Sequence, residues 1–480
     1  MPSASCFWLS GAAMKQNQTD ALQSFLATLP EPLALRLAKA VELDRLAEGS
    51  ELPHDLILAG LRPVLRRAKR NDRTPTPQRL FCTPFEDVLV SGERKEKLKG
   101  RIARSTIPPL WNWITKILLP DTAAAYAARV RQTVLAYRPH EAEACAADFR
   151  AAAAEAMSTA LGDENQRKAL RLALGGEHAL ADASEIALLL GISPEISELK
   201  ELIPKPLPAM TDHVLWTLRA IYDRLVTTRA DAAPYVAVIA MNRLERPWEA
   251  LRLPLMIARQ THDTLISSTD MGLVGELLLD DLDTHAAAIR SVRQPLFDPD
   301  DLAEHLLKFA LLSNGLVKEV EMRRDGRWGR RLMAERSAVA EIMESMTKRS
   351  PREILAALPT LKAGSYAGGP RVPDLSRAPD SEKHDRALRY ARLITRCRPI
   401  AAAAAFGAAL TQADDEIATA LQRYCEDLTR ELRATTGEKL AHAEAFFTIS
   451  IELTSILFSA EEGEFLRRRG RAATSAQAAA

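Results

Sequence analysis

A chain of 480 residues exceeds what one hydrophobic core organises, so two or three packed units of roughly 150 residues are expected. With 47% hydrophobic and 26% charged residues it is not a disordered polar chain, and 64 basic against 63 acidic residues leave no global field to draw it to nucleic acid or an anionic membrane. Aromatic residues make up only 5%, and alanine and leucine, the strongest helix formers, take their place.

In chain order, residues 1–16 are expected to be a disordered extension. No basic residue precedes Lys15, so the charged start of a secretory signal is missing, and Met14 is a possible alternative start. Residues 17–203 form the first expected helical unit, with Leu80 to Val90 as a short extended piece. Asp182 with Glu185 reads as a capping box ahead of Ile186, and Gly191 as the stop that follows. Pro204, Pro206 and Pro208 mark a break before a central unit, 204–358. There Val214, Leu215, Leu218, Ile221, Tyr222 and Leu225 recur with helical period. Asp298 before Pro299 predicts a helix start, and Ser350 to Glu353 predicts another with the same proline. A Pro/Gly-rich linker at 359–382 leads to a C-terminal helical unit, 383–470, and a disordered tail, 471–480. The most apolar run, Phe446 to Phe458, is shorter than the ~20 residues of a membrane span, so no transmembrane insertion is expected. The fold class is all-α, an irregular multi-helix array or bundle in two or three packed units without significant β-sheet; no repeat signature recurs.

The strongest local charge lies between Arg62 and Arg104, where thirteen basic residues face five acidic ones. Arg62, Arg66, Arg67, Lys69, Arg70, Arg73, Lys97, Lys99, Arg101 and Arg104 are the candidate anion-binding residues, because cations along one path grip phosphates by releasing counterions. A second cluster, Arg323 to Arg336, adds Trp328, on which a base can stack, although arginines crowding a helix end explain it equally. Residues 186–203 resemble a helix-turn-helix, but Ser197 and Lys200 fill its apolar positions and Glu195, Glu198 and Glu201 would repel phosphates, so a plain helix corner is the reading.

For a metal, Asp281 and His285 stand at i and i+4, while Glu276, Asp280 and Asp283 are expected on the solvated face opposite. His262-Asp263 resembles the adjacent pair of HD-type metal phosphohydrolases, with His213, His285 and His305 as conceivable further ligands; the small apolar residue and glycine that usually follow are missing. The five cysteines are scattered and fit reduced thiols. Phe446, Phe447, Ile451 and Phe458 lie on a helix apolar on nearly every face, which must dock on the rest of the chain or on another subunit.

These features point to a cytoplasmic helical scaffold or adaptor that recruits a protein partner or forms homo-oligomers, with no cofactor and no catalytic motif. The alternatives are a nucleic-acid or other polyanion-associated protein acting through 62–104 and an HD-like metal-dependent hydrolase.

Overall fold

The computed structural model describes residues 16–46, 52–67, 75–92, 96–259, 262–293, 295–362 and 371–478. The described residues are 78% helical, as the alanine- and leucine-rich composition predicts. Sheet is limited to two short pairings among the described residues. β1 (Leu89–Val90) runs parallel to β2 (Ile102–Ala103), and β3 (Thr360–Lys362) antiparallel to β4 (Arg371–Pro373).

The chain divides into two compact units, 1–204 with 221–239 and 205–220 with 240–480. The first boundary falls after Pro204, and 221–239 return to the first unit. Residues 383–470, expected as a separate unit, cluster instead with 240–358, because the helices on both sides of 359–382 cover one another's apolar faces.

In the first unit, α1 (Gln16–Ala27), α2 (Glu31–Leu46) and α3 (His54–Arg67) enclose a small core of Leu26, Ala34 and Leu61. Next comes α4 (Pro77–Cys82), whose first turn is capped by Thr76. A 3₁₀ turn, Thr83–Val88, follows it. The extended piece expected at Leu80 to Val90 is therefore mostly helical: the Thr76 cap and Pro84, whose fixed φ suits a helical first turn, outweigh its β-rich composition. After β2 come α5 (Ile107–Trp113), a π turn, α6 (Pro120–Leu135), α7 (Pro139–Gly162), α8 (Glu164–Leu174), α9 (Glu177–Gly191) and α10 (Ser193–Leu202). The face of α7 with Ala146, Phe149, Ala153 and Met157 is buried, and Phe149 stacks on Tyr126 of α6 at 4.4 Å. By residue number, α11 (Asp212–Thr228) and α12 (Tyr235–Arg243) run across the division between the units.

The second unit contains α13 (Arg252–Ala258), α14 (Asp263–Ile266), α15 (Leu273–Arg290), α16 (Pro299–Glu319), α17 (Arg327–Leu355), α18 (Ser381–Cys397), α19 (Gly407–Ala434), α20 (Glu438–Leu457) and α21 (Ala460–Ala478). Asp298 caps α16 as expected, accepting from the N–H groups of Asp300 and Asp301. Ser350 does not start a helix: α17 continues through Pro351, and the buried Ser350 hydroxyl donates back to the Met346 carbonyl. The expected tail is helical as far as Ala478, and the expected linker contributes the β3–β4 pair; its residues 363–370 lie outside the described ones, as do 1–15 of the expected N-terminal extension.

Two glycines set how closely these helices pack. A Cβ at Gly275 of α15 would stand 2.1 Å from the buried Trp328 ring of α17, and one at Gly315 of α16 would stand 2.1 Å from Trp248. In an exposed helix, Gly→Ala stabilises by about 1 kcal/mol. Here the indole blocks the methyl, so Gly275→Ala is expected to destabilise by about 1–3 kcal/mol, read as a lower urea midpoint with an unchanged slope.

Candidate functional site

Among its described residues, the basic segment does not turn all of its charge outward. Lys69, Arg70 and Arg73 lie outside the described residues, while Arg66 and Arg67 fall in the last turn of α3. Arg62, Lys99 and Arg104 are exposed. Lys97 and Arg101 turn inward, which corrects the expectation that they offer charge to a polyanion. Lys97 Nζ stands 2.6 Å from Glu185 Oε2 and 2.7 Å from Asp182 Oδ1, and donates to the Arg101 carbonyl at 2.6 Å.

The two carboxylates belong to α9 and are almost fully buried. Their spacing of three places both on one helix face, toward the loop 96–106. That loop has few backbone partners of its own, and the carboxylates supply them. Glu185 Oε1 accepts from the Gly100 N–H at 2.6 Å and from the Tyr235 hydroxyl at 2.8 Å. Asp182 Oδ2 accepts from the Ala103 N–H at 3.1 Å and the Thr106 hydroxyl at 2.7 Å. Burial, reinforced by the charge of Glu185, pushes the Tyr235 phenol well above its ordinary range. The sequence reading misses this network. Asp182 and Glu185 have the spacing of a helix start, yet they sit in the middle of α9, and only the fold brings Lys97 and Tyr235 to them.

Beside the network lies a cavity of 580 Å³, lined among others by Lys97, Arg101, Ser105, Glu177, His178 and Asp182. Its acidic groups offset its cations. The network is a structural clamp: removing Lys97 takes from two buried carboxylates the ammonium that pairs with both. Lys97→Met is expected to cost about 3 kcal/mol at neutral pH. The loss is read as a lower urea midpoint of the variant with an unchanged slope.

The four expected metal ligands do not converge. His262 Nδ1 pairs with Glu321 at 3.1 Å on the surface. Asp263 is fully buried, and its Oδ1 accepts from the Arg323 N–H at 3.4 Å. His285 meets His305, Nδ1 to Nδ1, at 2.9 Å, and His305 in turn lies 3.7 Å from Asp301. Asp281 is half-buried. No group of three His, Cys, Asp or Glu side chains able to hold a metal forms among the described residues. Glu276 and Asp283 are not on a solvated face either: Arg331 binds Asp283 at 2.5 Å and Glu276 at 3.3 Å.

Burial, then His305 and Lys308, lower the His285 pKa to about 4 from its usual 6.5. The unfolded chain therefore binds this proton more readily. The contribution of His285 is undiminished above pH 6.5 and falls between pH 6.5 and pH 4. His285→Gln is expected to flatten that part of the stability curve, by roughly 1 kcal/mol after allowance for the partly solvated site, measured by urea unfolding at pH 7 and pH 4.5.

Part of the arginine cluster, Arg323, Arg327 and Arg331, is likewise committed to structure. Arg323 pairs with Asp325 at 2.9 Å, Arg327 with Glu276, and the Trp328 indole is buried and donates to Glu276, which removes it as a stacking platform. Residues 186–203 form α9, a corner at Ile192 and α10. Of the expected interface residues, Phe446, Phe447 and Ile451 are buried inside the second unit by α18, α19 and α21, and only Phe458 is exposed, at 40%. The α21 backbone comes so close that a Cβ at Gly470 would meet the Phe447 ring at 2.3 Å. By length and composition α20 meets the criterion for a membrane span, and half of that window is buried within the fold.

Burial raises the thiols of Cys82 and Cys397 to about 12 and of Cys425 to about 11, far from the reactive thiolate range. Comparison with protein-family models, characterised proteins and solved structures gives no match for this chain.

Proposed function

We propose that the protein is a cytoplasmic helical scaffold or adaptor, acting through the surfaces it holds fixed. The observation that carries this reading is on α16. Its inner face, Leu302, Leu306, Phe309 and Leu316, is buried, while Leu307 and Leu311, one turn apart, remain 43% and 49% exposed. Leucines at i and i+4 on a helix anchored from behind are the pattern that a partner helix reads. The disposition of the chemical groups supports the same reading. Lys97, Asp182, Glu185 and Tyr235 satisfy one another, and Cys82, Cys145, Cys397 and Cys425 are free thiols, which suits a reducing compartment.

The polyanion alternative is left with Arg62, Arg79, Lys99 and Arg104 as its described exposed cations, a smaller set than the segment promises. An HD-like hydrolase needs ligands that converge, and His262, Asp263 and His285 each have other partners.

The test uses the full chain as bait in its native cells with chemical crosslinking, alongside light scattering of the purified protein. A stable partner or a homo-oligomer is expected, and Leu307→Asp with Leu311→Asp should reduce its recovery at least tenfold without altering helix content. A monomer with no crosslinked partner, or capture indifferent to the double substitution, would overturn the reading.

A further inference from the structure

We infer that the cavity formed by the end of α17, β4 and the middle of α19 binds a small organic anion, a carboxylate or phosphate joined to an apolar body. This goes beyond the scaffold reading and needs no protein partner. The cavity measures 860 Å³, within the range of small-molecule sites. Leu355, Leu358, Ala420 and Tyr424 give it an apolar lining.

Three arginines line it from three elements: Arg352 from α17, Arg371 from β4 and Arg423 from α19. None of them has a salt bridge or side-chain hydrogen bond among the described residues. Other arginines of this unit do: Arg386 pairs with Glu353 at 3.5 Å, Arg398 with Asp414 at 2.8 Å, and Arg430 with Asp427 at 2.6 Å. Carboxylates reach the cavity as well, and they decide where an anion sits. Asp427 is matched by Arg430, which leaves Asp415 and Glu416. Both precede Arg423 on α19 by two turns, roughly 10–12 Å along the axis, so the acidic end and the Arg423 end are separate.

Tyr424, 4% exposed, lines the same cavity, and its hydroxyl has no hydrogen-bond partner among the described residues. An oxyanion is the acceptor such a donor lacks. Arginine forks bind carboxylate and phosphate oxygens in pairs, while the apolar lining takes the rest of the molecule.

The full-length protein is titrated with 8-anilinonaphthalene-1-sulfonate by fluorescence. The dye is then displaced by dodecanoate, dodecyl phosphate and dodecanol below their aggregation concentrations. One dye per chain is expected, displaced by the anions at least tenfold more readily than by the alcohol and released as salt rises. Preference for the phosphate or for the carboxylate names the headgroup, and either preference supports the site. Arg352→Gln, Arg371→Gln and Arg423→Gln change exposed positions and should each weaken binding at least threefold with the circular dichroism unchanged; Ala420→Trp, which fills the cavity, should abolish it. Dodecanol competing as well as the anions, a folded triple glutamine variant binding like the wild type, or no saturable dye binding would overturn the inference.

Discussion

Every long helix in this protein carries an apolar face that only another helix can cover, and the architecture follows from that requirement. On α15, Val274, Leu277, Leu278, Leu282 and Ile289 are at most 1% exposed, and on α18 and α19 the buried faces include Leu393, Ile394, Ile417 and Leu421. Small residues let the covering helices approach. Gly275 admits the Trp328 ring, Gly315 the Trp248 ring and Gly470 the Phe447 ring, each at a distance that leaves no room for a methyl group. Large aromatics seated on glycines fix the packing more specifically than leucine against leucine can, because the indole or phenyl has one place to go.

Where the chain leaves the helix, its backbone polar groups need other partners, and side chains of neighbouring helices provide them. The loop 96–106 has the fullest example. Two α9 carboxylates take its N–H groups and the Thr106 hydroxyl, and Lys97, from the loop itself, supplies the charge that makes burying them tolerable. Elsewhere the same device ties α15 to α17 through Glu276, Asp283, Arg327 and Arg331. Ionisable residues that look like reactive chemistry in the sequence are thus spent on holding elements in register.

That use of charge shapes the functional argument. What is left over is surface: leucines on α16 without cover, and a cavity in the second unit whose arginines have not found carboxylates. Both are the features on which the proposed scaffold and anion-binding readings rest. They differ in kind, one on an apolar helix face, the other a cavity lined by arginines.

Composition and period alone determine the helical class, because alanine and leucine at a spacing of three to four residues satisfy the backbone locally whatever surrounds them. The Asp298-Pro299 start of α16 is legible for the same reason: cap and helix are neighbours in sequence. The same local grammar misplaces Asp182-Glu185 and Ser350-Pro351, which have the spacing of helix starts but lie within α9 and α17. A carboxylate three residues before another has the same sequence signature at a helix end and on a buried face. Which one it is depends on whether a lysine 85 to 88 positions away is brought to it. The fate of the charged clusters was decided likewise, by tertiary structure: Arg331 and Trp328 are spent on α15, Arg352, Arg371 and Arg423 remain at a cavity, and no local pattern separates the two groups, since pairing of buried charge is settled by packing across the chain.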